Sequence, residues 1–380
     1  MPGPMSGIRV LELNAIGPVP FCGMLLADMG ADVIRIDRVQ RASTLMGLVD
    51  VCGRGRRSIA LDLKDPTGLD LMHRLVSTAD VLLEGFRPGV AERLGIGPDV
   101  IAELNPRLVY GRMTGWGQEG PMAQMAGHDI NYIGMVGALH TIGVEAPVPP
   151  LNLVGDYGGG ALYLAVGILA ALNERTTSGR GQVVDVAMTD GAASLMTPTY
   201  QLAGAGLWVD ERNSNLLDGA APFYRVYETA DGGSVAVGAL EPNFYDELLR
   251  LLDIDPAELP PQMSRAGWHL IEERIGAAFI AESRQHWEAV FSGSDACVTP
   301  VLTLAEAPHH PHNQARMTFM NIAGHPEPAP APRFSRTPSI LQEQSARSGA
   351  DTVEVLTEVG LDAAEIERLC EAGVAGVAEA

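Results

Sequence analysis

Side chains able to move protons or hold anions recur beside loops in this chain. His128 and Asp129 stand together in Ala126-Gly127-His128-Asp129-Ile130-Asn131-Tyr132, and Asp156 lies in Gly155-Asp156-Tyr157-Gly158-Gly159-Gly160. Glu241 precedes Pro242. Histidine and carboxylate are the commonest general acids and bases. Arg38, Arg93, Lys64, and Arg87 within Gly85-Phe86-Arg87-Pro88-Gly89, are cations that could hold an anion. Read singly, each has a plain structural account. Asp129 and Asp156 suit helix N-caps, with His128 a half-buried histidine beside the first of them. Glu241-Pro242 suits the opening of a helix, and Arg38 a surface ion pair. The glycines after Asp156 exceed what a cap needs, since they let a ligand approach the backbone closely.

Several other chemistries are excluded. The loop Asn14-Ala15-Ile16-Gly17-Pro18-Val19-Pro20 lacks G-x-G-x-x-G and carries prolines where backbone would wrap a pyrophosphate. There is no G-x-S-x-G elbow and no phosphate-binding P-loop sequence. Cys22, Cys52, Cys297 and Cys370 form no C-x-x-C pair, which reads as free thiols in a reducing compartment. His309-His310-Pro311-His312 lacks the spacing to further ligands that a metal site needs and reads as a solvated loop, so no metal is expected. A formal net charge of -21 argues against nucleic acid, which requires a basic field. Lys64 is the only lysine, so an anion site must be built from arginine, backbone N–H groups and that one side chain. Met113, Met122, Met125 and Met135 bracket the His128 segment; thioethers are core filler, and they also suit a pocket for varied acyl chains.

The elements that must position these residues follow a clear alternation. At 380 residues two domains are the default, and 46% hydrophobic residues supply the cores. Strand Ile8–Leu13, helix Phe21–Met29 and strand Val33–Asp37 form a βαβ unit. Further strands are expected at Val81–Leu83, Leu108–Tyr110 and Gln182–Ala187, with helices at Gly68–Ala79, Val90–Leu94 and Gly159–Asn173. This is a Rossmann-like, doubly wound α/β layout. Phe223–Glu228 and Ser234–Ala239 alternate around Asp231-Gly232-Gly233, a hairpin signal, and helices follow in a smaller α+β domain. The expected division is a large domain over 1–190, a linker over 191–222, the small domain over 223–305, an extended linker over 306–338, and a helical segment over 339–380 that returns to the large domain. The longest apolar segment, Ala161–Leu172, is about a dozen residues, short of the roughly 30 Å needed to span a bilayer. MPGPMSGIRVLEL has no basic stretch followed by an apolar one, so a signal peptide is not expected and the cytoplasm is the expected location.

Several segments together carry a resemblance. Gly7-Ile8-Arg9-Val10-Leu11-Glu12-Leu13, Gly30 to Arg38, Arg112-Met113-Thr114-Gly115-Trp116-Gly117-Gln118, Gly127 to Tyr132, Asn152 to Asp156 and Gly181 to Gly191 resemble the family III CoA-transferase (CaiB/BaiF-like) superfamily. Within it they are most like the racemase branch, which acts on 2-methylacyl-CoA thioesters. The likeness runs from about Gly7 past Arg336. It implies His128 and Asp156 as an acid/base pair on opposite faces of the substrate α-carbon, with Glu241 and Asp129 supporting them. It implies CoA contacts from Arg38, Leu61-Asp62-Leu63-Lys64, Gly85-Phe86-Arg87 and Arg93, and substrate contacts from Gly127, Ile130, Asn131 and Tyr132. No cofactor is implied, since coenzyme A is part of the substrate. The implied assembly is an interlocked homodimer in which the small domain, and Glu241 with it, completes the partner's site.

Chemistry makes these implied roles sensible and exposes a tension. A proton α to a thioester is weakly acidic, so an enolate oxyanion must be stabilised with a base close by. A helix start offers N–H groups for that oxyanion, but would lower the pKa of an Asp156 placed there, whereas a proton donor needs a raised one. Two alternatives stay open. In a CoA-transferase of the same superfamily the residue matching Asp156 is a nucleophile. A non-catalytic CoA-binding protein would keep the arginines without the pair.

Overall fold

The computed structural model describes residues 3–39, 52–322, 324–339 and 347–378. The chain divides into two units, the first formed by Met1–Val136, Pro150–Leu195 and Phe319–Ala380, the second by Gly137–Pro149 and Met196–Thr318. In the first unit, β1 (Arg9–Leu13), β2 (Asp32–Asp37), β3 (Arg56–Leu61), β4 (Val81–Glu84), β5 (Val109–Thr114) and β6 (Val183–Ala187) pair in parallel in the order β3-β2-β1-β4-β5-β6. A short strand, Ala375–Gly376, adds antiparallel to the outer edge of β3. Helices cover both faces, so strands such as β4 are buried end to end. Alternate strand residues feed two cores. Leu11, Leu13, Ile34 and Leu82 pack with the helix Pro66–Ser77 and the C-terminal helices, while Val10, Val33, Val81 and Val109 pack with Pro18–Asp28 and Leu162–Ser178. The connections reverse direction between β1 and β4, which opens a crevice at the carboxyl ends of those strands.

A charged pair lies inside the second of these cores. Glu12 on β1 accepts from Arg56 Nε at 2.8 Å, and both side chains are almost fully buried. The same guanidinium reaches the Pro20 carbonyl in the helix Pro18–Asp28, so the pair pins helix to sheet.

Elsewhere the structure departs from the sequence expectations. Strand β3 reads RRSIAL, and its charged opening hid it. The expected helix Gly159–Asn173 is a π-helix, Leu153–Ala161, running directly into an α-helix, Leu162–Ser178. Together they make 26 residues, by length and composition enough to cross a membrane, where the sequence showed about a dozen apolar ones. Leu164, Ala165, Ile168, Ala171 and Leu172 of this run are buried in the sheet's core. The stretch 191–222 is not simply a linker, since it holds the helix Thr197–Gly204. Nor is 306–338 uniformly extended: it contains the helix Pro311–Arg316 and an antiparallel pair, Phe319–Ile322 with His325–Pro328. Within 339–380, residues 340–346 and 379–380 lie outside those described. The helix Thr352–Glu358 sits against β3, where Asp351 Oδ2 accepts from the Ser58 N–H at 2.7 Å.

The second unit holds an antiparallel sheet, β7 (Tyr224–Glu228), β8 (Ser234–Gly238) and β9 (Val298–Pro300). Helices Pro242–Leu251, Trp268–Phe279 and Arg284–Phe291 build an aromatic core with it around Phe223, Phe279 and Trp287. Glu241 is the N-cap of the first of these helices, with Pro242 opening it.

Arg56→Met should cost about 3–5 kcal/mol in urea unfolding, because Glu12 stays buried without its guanidinium partner. The double variant Glu12→Leu/Arg56→Met should recover most of that loss. A single variant of wild-type stability would show that the pair contributes nothing.

Candidate active site

A cavity of about 310 Å³ occupies the crevice at the carboxyl ends of the strands. Its walls are the end of the loop after β1 (Ile16, Gly17) with the start of the next helix (Pro18, Val19), the loop after β4 (Gly85 to Pro88), Gly115 and Trp116 after β5, and Ala126-Gly127-His128. Tyr132 and Asp156 line it too, with Met113, Met125 and Met188. His128 and Asp156 therefore face one space although they belong to different elements.

The helix Asp129–Met135 presents His128 at its N-cap, in extended conformation. The His128 N–H donates to Asn131 Oδ1 at 3.0 Å, so Asn131 reaches back to satisfy the helix start. The cap position expected for Asp129 belongs to His128, and Asp129 is the first helical residue. Its carboxylate is buried, and Oδ2 accepts the backbone N–H of Asp156 at 2.7 Å. Asp156 in turn is no N-cap, because it lies inside the π-helix. The wider π turn lets this segment press on the helix Met188–Leu195, where Gly159 and Gly191 meet backbone to backbone. A Cβ on Gly191 would stand 1.8 Å from the Gly159 carbonyl oxygen.

Asp156 remains in the first turn of the π-helix, and burial, not position, answers the tension over its pKa. Burial raises its pKa and is the largest influence; a hydrogen bond from Asn152 Nδ2 at 3.1 Å lowers it, the charge of Asp129 raises it further, and His128 lowers it. The net direction is upward, as a group that both gives and takes protons requires.

Arg87 lines the cavity. Its loop is held from below by Glu84, fully buried, whose Oε2 accepts the Phe86 N–H at 2.6 Å and whose Oε1 accepts Arg112 Nε at 2.8 Å. Arg112 also pairs with Glu92 at 2.9 Å, in the short helix Val90–Arg93 beyond the loop. Gly85, Phe86, Gly127 and Tyr132 join Arg87 in the wall. Arg38, Lys64, Arg93 and Ile130 are exposed outside it, and the Asn131 side chain is turned back to the His128 N–H at the helix start. Asp62 and Leu63 lie in the turn after β3, outside the wall. The Leu61 side chain is buried in the core that also holds Leu75, and its residue pairs with Ala375 on the sheet edge, so it does not reach the cavity. Glu241 lies in the second unit. Sequence reasoning missed Trp116 and the turn from loop to helix at Ile16 to Val19 as cavity wall, although the connection after the first strand of a doubly wound sheet was a signal for the latter.

The sequence profile described as CoA-transferase family III matches residues 5–352. The chain belongs to this family. Within CoA-transferase family III it is 47% identical over 369 residues to a mouse protein named alpha-methylacyl-CoA racemase, covering 96% of each chain. It is 44% identical to the human protein of the same name, again over 96% of each. The crystal structure of a CAIB/BAIF family protein from Brucella suis aligns with a TM-score of 0.79 at 26% identity, across 94% of this chain and 100% of that one.

The raised pKa of Asp156 has a consequence for stability. Its contribution is fully present below the unfolded-state value of about 4 and is lost as pH rises through the higher folded value, since ionisation then opposes folding. Asp156→Asn should therefore melt at a higher Tm than the wild type at neutral pH, with the gap closing below about pH 4. A constant difference across pH in thermal scans would contradict the shift.

Proposed function

We propose that the protein is an isomerase that interconverts (2R)- and (2S)-2-methylacyl-CoA thioesters. The observation that carries this reading is the single cavity faced by His128 and Asp156, with Asp129 hydrogen-bonded to the Asp156 backbone beside them. The two mammalian relatives named above support it. One of the pair takes the α-proton, and the C–H electron pair passes into a planar enolate. The other returns a proton to the opposite face, and the reverse turnover exchanges their roles. One proton leaves and one arrives, so no redox partner is consumed, and coenzyme A enters as part of the substrate. Arg87 holds a phosphate of the CoA moiety, and the thioethers of Met113 and Met125 line the cavity for the acyl chain.

A CoA-transferase using Asp156 as nucleophile is the second reading, favoured by the family as a whole. It gives His128 no task. In D₂O, with no acceptor acid present, the enzyme should place deuterium at the α-carbon of a 2-methylacyl-CoA. A strict requirement for a carboxylate acceptor would favour the transferase.

We also propose a homodimer with a shared site, to which Glu241 of the second unit contributes. Apolar side chains on the first unit support an interface: Leu162 is 47% and Val166 65% exposed, one turn apart on a helix. Mixing inactive His128→Ala and Glu241→Ala chains by co-refolding should restore activity in the hybrid. No recovery in a confirmed hybrid would mean self-contained subunits.

A further inference from the structure

Tyr132 belongs to the cavity wall, yet its hydroxyl is already engaged. It donates to the Gly127 carbonyl at 2.5 Å, and the Tyr132 backbone N–H donates to the His128 carbonyl at 3.3 Å. One residue thus grips the two peptide groups on either side of the His128 Cα. The ring has almost no freedom. Its residue is buried, and its edge meets Trp116 with centroids 4.8 Å apart at 82°. It also fills space that two glycines leave open. A Cβ on Gly115 would stand 2.2 Å from the ring's Cε1, and one on Gly127 2.7 Å from the same atom.

We infer that Tyr132 is the positioning residue for His128, fixing the Gly127–His128 backbone so that the imidazole meets its face of the substrate. The inference rests on the acid/base pairing proposed above. A hydroxyl that gives its proton to a backbone carbonyl has none to donate to a substrate oxygen, so the role is indirect. Burial, followed by the charge of Asp156, raises the Tyr132 pKa, keeping the hydroxyl protonated and able to donate. Asp156 is held differently, through the π-helix and Asp129, so Tyr132 should govern one face only.

Exchange at the two faces separates this role from a general loss of structure. His128→Ala first identifies, by α-deuteration in D₂O, the enantiomer whose exchange needs the imidazole. Tyr132→Phe keeps the ring and deletes only the hydroxyl. Its kcat for exchange of that enantiomer should fall about 10- to 100-fold, as expected for a misplaced catalytic group. KM, and exchange of the other enantiomer, should stay within about twofold. Gly115→Ala, whose Cβ must displace the ring, should also lower exchange of the enantiomer that needs the imidazole. An equal loss for both enantiomers, no loss, or a rise in KM alone would overturn the inference, the last by showing that the hydroxyl meets substrate. If His128→Ala itself spares both enantiomers equally, the acid/base reading fails first and this inference falls with it.

Discussion

The hydrogen bond from the Asp156 N–H to the Asp129 carboxylate, at 2.7 Å, is the joint on which the site depends. Asp129 follows His128 at the start of one helix, and Asp156 lies 27 residues further along in another element. Charge-assisted bonds of this kind are short and directional, so the two elements cannot shift separately without breaking it. The same carboxylate sets part of the electrostatics, because its charge adds to burial in raising the Asp156 pKa. One residue that does not itself line the cavity thus joins the two elements and adds to the proton affinity that burial mainly sets.

That joint needs rigid ground on both sides. On the Asp156 side the π-helix supplies a wide turn, and the Gly159–Gly191 approach seats it on the next helix. Single π turns inside helical runs are frequently found at functional sites. On the opposite wall, the Glu84–Arg112–Glu92 network braces the loop that carries Arg87. The buried charges of Glu84 and Arg112 are costly to desolvate unless each finds partners, and here they join strand ends to the loop beyond. Rigid supports beneath the loops are what allow a parallel sheet to hold chemistry at its carboxyl edge.

Much of the fold was legible in the chain. The alternation around Ile8–Leu13 and Val33–Asp37 announced the βαβ unit, and Asp231-Gly232-Gly233 announced the hairpin of the second unit. Strand β3 was not legible because RRSIAL opens on two arginines, whose partners, Glu12 for Arg56 and Asp32 for Arg57, lie on other strands. The hairpin in the proline-rich stretch was hidden for a related reason. Pro326 and Pro328 suit an edge strand, and propensity alone does not distinguish that from a linker.

His128, Asp156 and the arginine loop could be picked out from residue type and motif, because acid/base and anion-binding groups are chemically few and stand beside glycine-rich turns. The sequence by itself therefore determined the family, the layered α/β class and the short set of groups able to act. Which of those groups meet was decided only by the tertiary structure. It moved Asp156 from a cap position into the first turn of a π-helix, buried Asp129 beneath the cavity wall, and left Arg38, Arg93 and Lys64 outside that wall. The reason is physical. Local pattern reports the period of an element and the chemistry of its side chains, whereas convergence depends on strand order and helix contacts between segments far apart in the chain, and on which charges that packing removes from water.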